Sequence, residues 1–196
     1  SDKLFISESA KLSNFRLSNI IRNDSIFSKI IWEDEQNISK YLGEIPLLTQ
    51  LKSRGIDKKP RVEIEFLPTN IIINKEKWNL RNSVVYIDST YLFFDRFTFE
   101  NGKQMIKIDG ALSDYKKDTL SVTFRDFDLA SLNQVTQDAG FTINGLLNGS
   151  VELSNLYENP VISSNSQISD LHLNKHNLGY LNLYLEWDKI RENINV

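Results

Sequence analysis

The chain has 196 residues, 40% of them hydrophobic and only four of them proline, which is enough apolar material for a sizeable core and argues against wholesale disorder. A net charge of −3 and a pI near 5.5 leave no basic footprint for nucleic acid, and no apolar run approaches the ~18 residues of a spanning helix. Cysteine is absent, which removes disulfide frameworks and thiolate zinc sites. The chain does not open on a charged segment followed by an apolar one, so any export signal or membrane anchor is expected upstream.

In chain order, the first feature is LSNFRLS at 12–18, with apolar residues at a three-then-two spacing (Leu12, Phe15, Leu17). It leads through a polar stretch to IIWED at 30–34, an apolar run closed by Trp32 and an acid. The same succession returns where ISDLHLN at 168–174 (Ile168, Leu171, Leu173) leads to LEWDK at 185–189 and Trp187. The offset of about 155 residues is too long for one solenoid rung, so each period is expected to be a multi-stranded block. Residues 1–196 then read as a single piece of a repeating β-protein, with the end of one unit at 1–33 and the next at 34–190.

YLGEIPLLTQLKSRG at 41–55 offers Leu47, Leu48 and Leu51 to a helical face. Pro46 would cost a helix interior about 3 kcal/mol, which favours a bent strand. VEIEF at 62–66 alternates strictly, setting Val62, Ile64 and Phe66 against Glu63 and Glu65. MIKIDGAL at 105–112 places Ile106, Ile108 and Leu112 opposite Lys107 and Asp109, and LSVTF at 120–124 turns Leu120, Val122 and Phe124 in and Ser121 and Thr123 out. DLASLNQV at 128–135, with Asp128 as N-cap, suits one short helix or turn across an open end of the sheet. Phe141, Ile143, Leu147, Val151 and Leu153 share a parity in 141–153, where Gly145 and Gly149 permit a bulge or bend. Leu181, Leu183 and Leu185 share another face in 181–187.

Turn chemistry separates these runs at Asn101-Gly102, 113–118, Asn159-Pro160 and Asn174 to Asn177. One-faced strands of this kind belong to antiparallel sheets with a wet side, here kept polar by Glu63, Glu65, Lys107, Asp109 and Glu152. About a dozen strands at ~4.8 Å would span roughly 55 Å.

The succession IEFLPTNIIINKEKWNL at 64–80, QMIKIDGALS at 104–113, DLASLN at 128–133 and the stretch 143–188 resembles the TamB and AsmA-like envelope proteins, in particular the TamB-like proteins of the Bacteroides group. The shared elements are a Gly-apolar-x-Gly strand (Gly145, Gly149), an Asn-Pro turn, an Asp-Leu-x-Leu-Asn strand (Asp170 to Asn174), and a Leu-Gly strand (Leu178-Gly179) running into Trp187-Asp188. The resemblance covers about 60–196. It implies a mainly β fold, an elongated, curved antiparallel sheet forming a taco-like open trough with an apolar interior. It further implies a periplasmic location, an inner-membrane anchor outside this chain segment, an outer-membrane Omp85-type barrel as partner, and phospholipid acyl chains as cargo moving between the membranes in support of outer-membrane assembly. On this reading the lining comprises Val62, Ile64, Phe66, Ile106, Ile108, Leu120, Val122, Phe124, Phe141, Ile143, Val151, Leu153, Leu171, Leu173, Leu181, Leu183 and Leu185.

No constellation for chemistry stands out. His172 and His176 are four apart but straddle a strand end and a turn without a third ligand. Asp126 and Asp128 form an acid-x-acid pair that suits calcium or a glycosidic bond, against the simpler reading of a strand end and a helix cap. GLLNG at 145–149 lacks the following helix that phosphate binding needs. The acidic run Glu33 to Glu35 reads as a solvated turn, and Trp32 and Trp187, at equivalent repeat positions, as packing residues rather than sugar platforms. Neither a catalytic residue, a metal site nor a cofactor is expected. The alternative is a periplasmic or extracellular glycan-binding or adhesion module, which would bury its apolar faces inside a two-sheet β-sandwich.

Overall fold

The computed structural model describes residues 4–7, 10–34, 41–53, 60–156, 158–188 and 193–195, with 35–40, 54–59 and 189–192 outside it. Fifteen strands follow one another: β1 (Leu4–Ser7), β2 (Ala10–Arg22), β3 (Ser25–Asp34), β4 (Tyr41–Ser53), β5 (Pro60–Phe66), β6 (Thr69–Ile73), β7 (Glu76–Leu80), β8 (Ser83–Ile87), β9 (Tyr91–Asn101), β10 (Gln104–Ser113), β11 (Thr119–Asp128), β12 (Ile143–Ser154), β13 (Val161–Leu173), β14 (His176–Asp188) and β15 (Asn193–Asn195). The expected short helix is a 3-10 turn, Leu129–Leu132, continued by one six-residue helix, α1 (Asn133–Asp138). Asp128 caps the turn by accepting from the Ala130 N–H at 2.9 Å.

All the strands belong to one antiparallel sheet, a meander of thirteen rails in which each rail pairs with the next. β5 and β6 share a single rail, as do β7 and β8. The breaks fall at Leu67-Pro68 and Arg81-Asn82, yet Leu67 still donates to Pro46 O and Arg81 to Thr98 O, both at 3.0 Å. Proline survives inside β4 for the same reason: it opposes Lys29, and its carbonyl is used where the neighbouring rail changes strand. The run 64–80 is thus not one strand but a long hairpin closed at Asn74-Lys75, whose φ values of 54° and 67° suit a two-residue turn.

The sheet departs from ideal pairing at bulges. Arg96, Asp126 and Asp170 have φ near +50° (50°, 45° and 50°) on β9, β11 and β13, each beside a register shift. An extra residue at each point returns apolar residues three apart to one face: Phe94 and Phe97, Phe124 and Phe127, Ile168 and Leu171. β2 carries a further slip between Ser13 and Arg16, within LSNF. The three-then-two spacing is therefore a bulge signature, present in FDRF at 94–97 and FRDF at 124–127 as well as in the two copies noticed in the sequence.

This changes the meaning of the repeat. Trp32 on β3 and Trp187 on β14 are nine rails apart, and an odd number of antiparallel steps points their strands in opposite directions. Trp32 pairs with Gly43 at one end of the sheet and Trp187 with Ile162 at the other, so the two do not share one packing place. The β3–β4 ladder runs unbroken from Ser25 to Glu33 and joins the two stretches 1–33 and 34–190 in one sheet.

Packing concentrates at the end holding Trp32. Ile71, Trp78, Phe127, Leu129 and Leu171 form a buried cluster, joined by Trp32, Ile45, Phe99, Ile106, Phe124, Ile143, Leu147 and Ile168. The Trp78 and Phe127 rings lie 6.2 Å apart although β7 and β11 are separated by three strand spacings, ~14 Å in a flat sheet. The helix α1, which follows β11, also approaches β1, eight rails away. The sheet bends inward here, in the sense that bulges favour, and Leu129 plugs the bend.

Candidate functional site

Directly paired residues in an antiparallel ladder project to the same face, so the register assigns every side chain to one of two faces. One transverse row crosses eleven rails: Ile21, Ile26, Thr49, Ile64, Val85, Phe94, Gly110, Leu120, Leu153, Ile162 and Trp187. Only Thr49 and Gly110 interrupt its apolar character. Ten strand spacings make it about 48 Å long. Parallel rows on the same face carry Phe97, Ile108, Val122, Val151, Ser164 and Leu185, and then Leu80, Phe99, Ile106, Phe124, Gly149, Ser166 and Leu183.

Of the lining residues expected from sequence, all but one lie on this face, Val62, Phe66, Ile143, Leu171, Leu173 and Leu181 included. Phe141 is the exception. It precedes β12 in the turn after α1, where its N–H donates to Thr136 O, because the strand begins only at Ile143. Sequence alternation misses Phe94, Phe97 and Phe99, since the bulge at Arg96 breaks the period of two within YLFFDRFTFE. These rings floor the centre of the face: Phe97 lies 4.8 Å from Phe66, 6.0 Å from Phe94 and 5.3 Å from Phe99, mostly edge to face. Trp78 and Leu80, which alternate with exposed Lys77 and Asn79 on β7, are missed as well, and so is Leu129, which lies in the 3-10 turn and not on a strand.

Three serines on this face, Ser83, Ser164 and Ser166, are buried and hydrogen-bonded. Ser83 donates within 3.1 Å of Arg81 O and Arg96 O, and Ser164 and Ser166 face each other at 3.0 Å while buried. Gly149 keeps the floor low beside them, because a Cβ there would come within 2.5 Å of Ser166 Cα. No side chain with a formal charge stands in the three rows.

The opposite face is charged in its centre. Lys107 pairs with Asp109 at 2.7 Å, Arg81 with Glu100 at 2.7 Å and Arg96 with Asp95 at 2.8 Å. Asp109 also accepts the bulged Arg96 N–H at 3.1 Å, as Asn148 accepts that of Asp126 at 2.9 Å. Burial alone would push the Asp109 carboxyl up. The hydrogen bonds from Lys107 and the Arg96 backbone, with the charges of both residues, outweigh it and hold the group below its ordinary 3.8. Arg96 is raised in turn by its hydrogen bond to Asp95 and the charge of that carboxylate. This wet face was expected from Glu63, Glu65, Lys107, Asp109 and Glu152, and it continues over β2–β4 with Arg22, Gln50 and the Lys29–Glu44 pair at 2.7 Å, but an apolar row interrupts it. There Ile20, Phe27 and Leu48 form a row one residue out of phase with the apolar one, and Leu67 joins Ile20, Phe27, Pro46 and Leu47 around a hollow of about 170 Å³.

The residues weighed for chemistry do not converge. His172 pairs with Asn177 and His176 with Leu173, which sends the two imidazoles to opposite faces. Asp128 caps the 3-10 turn and Asp126 is a bulge residue bonded to Asn148 Nδ2 at 3.2 Å. Glu33 ends the β3–β4 ladder, while Glu35 lies outside the described residues. Among the described residues no three His, Cys, Asp or Glu side chains gather as a metal site, and no helix is long and apolar enough to cross a membrane. No family model, curated protein or solved structure matches the chain.

Proposed function

We propose that this chain is a segment of a bridge-like lipid conduit in the periplasm, of the kind the TamB-like resemblance implies, and that acyl chains travel along its apolar face across the strands. The observation that carries this is the transverse row from Ile21 to Trp187, apolar on nine of eleven rails and free of charge. Pulling an acyl chain into water costs about 0.8 kcal/mol per CH₂, roughly 13 kcal/mol for sixteen carbons, and a continuous apolar floor lowers that barrier without any chemical step. Cargo, in this reading, is phospholipid. The full-length protein would supply the inner-membrane anchor and the contact with an Omp85-type barrel, and outer-membrane assembly would follow from lipid supply. The glycan-binding alternative called for two separate sheets face to face, whereas the strands here share one sheet.

A photo-crosslinking residue at Val122 or Leu183 is expected to capture phospholipid in cells, and one at Thr123, on the opposite face, is not. Val122→Asp is expected to impair the full-length protein while the isolated chain still melts cooperatively, because a desolvated carboxylate on the floor opposes acyl passage. Equal lipid capture from Val122 and Thr123 would sink the conduit.

A further inference from the structure

We propose that the polar face of β12–β14 binds a neutral oligosaccharide. Here the register assembles a grid on the face opposite the apolar rows: Asn148 beside Gln167 beside Asn182, and Asn165 beside Tyr184. These residues line an open hollow of about 260 Å³ with no charged side chain in it. Tyr184 is 61% exposed, and Tyr180, 57% exposed, stands one step further along β14 with its hydroxyl donating to Gln167 at 2.5 Å.

Three features select the ligand class. Asn165, Asn182 and Tyr184 make no side-chain hydrogen bond among the described residues, so their donors and acceptors face solvent unspent. A carboxamide offers a donor and an acceptor side by side, which matches adjacent hydroxyls on a pyranose ring, and an exposed tyrosine ring offers a flat apolar surface to the C–H face of the same sugar. No cation lines the hollow, and the charges nearest it are the carboxylates of Asp126, bonded to Asn148, and of Glu152 and Glu186 in the next row. This disfavours nucleic acid and anionic polymers, while the amide lining disfavours lipid. An added peptide strand cannot pair with β12 or β13, which are hydrogen-bonded on both sides, whereas β14 is paired beyond β13 only over Glu186–Asp188. The larger hollow on the same face, about 340 Å³ around Arg81, Arg96 and Lys107, contrasts with it: each of those cations is already held by an acid.

The strip lies on the face away from the proposed lipid path, so the two readings succeed or fail separately. The test is titration of the whole chain with chitohexaose, cellohexaose and maltohexaose as neutral probes and hexagalacturonate as the anionic one, followed by calorimetry and by backbone amide shifts on β12–β14. Saturable binding of at least one neutral probe is expected, weakened about tenfold or more by Tyr184→Ala and by the pair Asn165→Ala and Asn182→Ala, and unchanged by Tyr115→Ala at an exposed tyrosine elsewhere. These side chains are exposed, and an unaltered circular dichroism spectrum and melting point confirm that the variants fold. Failure of all three neutral probes, equal affinity in Tyr184→Ala, or preference for the anionic probe overturns the proposal.

Discussion

The rails β9–β13 and the rails β2–β4 use the same alternation of apolar and polar residues, yet they bury it to different depths. In the centre, bulges and the 3-10 turn gather Phe127, Leu129 and Leu171 against Trp78 until each is almost fully covered, and Leu80 beside them is 0% exposed. On the N-terminal flank the equivalent face leaves Ile21 74% and Leu51 68% exposed, and the reverse face adds Ile20 and Phe27. Both regions are continuous sheet, so hydrogen bonding does not separate them. The difference lies in whether something packs across the face, and that follows from where the sheet bends. Stability should therefore reside in the centre, while the flank keeps its apolar surface exposed.

The sharpest way to break this contrast is to delete side-chain volume in both regions. Leu80→Ala and Leu129→Ala are each expected to cost about 3 kcal/mol in denaturant unfolding, from lost burial plus the cavity left behind. Ile21→Ala should cost less than about 0.5 kcal/mol in the same measurement. Comparable losses at Ile21 and Leu129 would mean that the flank is packed as tightly as the centre.

The junction between the regions tests next. A Cβ on Gly43 would sit 2.1 Å from a carbon of the Trp32 ring, so Gly43→Ala is expected to cost about 1–3 kcal/mol and to shift Trp32 fluorescence. Smaller again is the bulge. Arg96 is 73% exposed at a φ of 50°, and Arg96→Val should cost about 1–2 kcal/mol, mainly through left-handed strain with a small loss of the exposed Asp95 pair, whereas Arg96→Gly should relieve the strain. Thermal melts of the two variants should move in opposite directions from the parent.

The smallest expected effect is that of pH on the bulge. Asp109 is held below its ordinary value in the fold, so its contribution is full above the unfolded pKa and is lost as pH falls through the lower, folded one. Stability should decline from about pH 4 downward, and Asp109→Asn should flatten that part of the curve while keeping an acceptor for the Arg96 N–H. An acid limb that is identical in parent and variant would show that the bulge does not depend on the carboxylate.

The sequence by itself determined which face each strand turns inward wherever its period of two is unbroken. Val62 to Phe66, Ile106 to Ile108, Leu120 to Phe124 and Leu181 to Leu185 sit as their alternation requires, because one-residue steps along a strand reverse the side chain and turn residues fix where each strand stops. Pro46 likewise announced a strand, since a helix has no room for it. What only the tertiary structure decided lies at the interruptions. A bulge changes parity, so Phe94, Phe97 and Phe99 read as unpatterned until pairing with β10 places them together. The direction in which a hairpin points depends on the number of rails crossed, which set Trp32 and Trp187 at opposite ends despite their matching contexts. Burial of Trp78 and Leu129, and the grid of amides on β12–β14, depend on strands meeting across many residues of chain, and no local pattern encodes a contact between rails that only the folded sheet brings side by side.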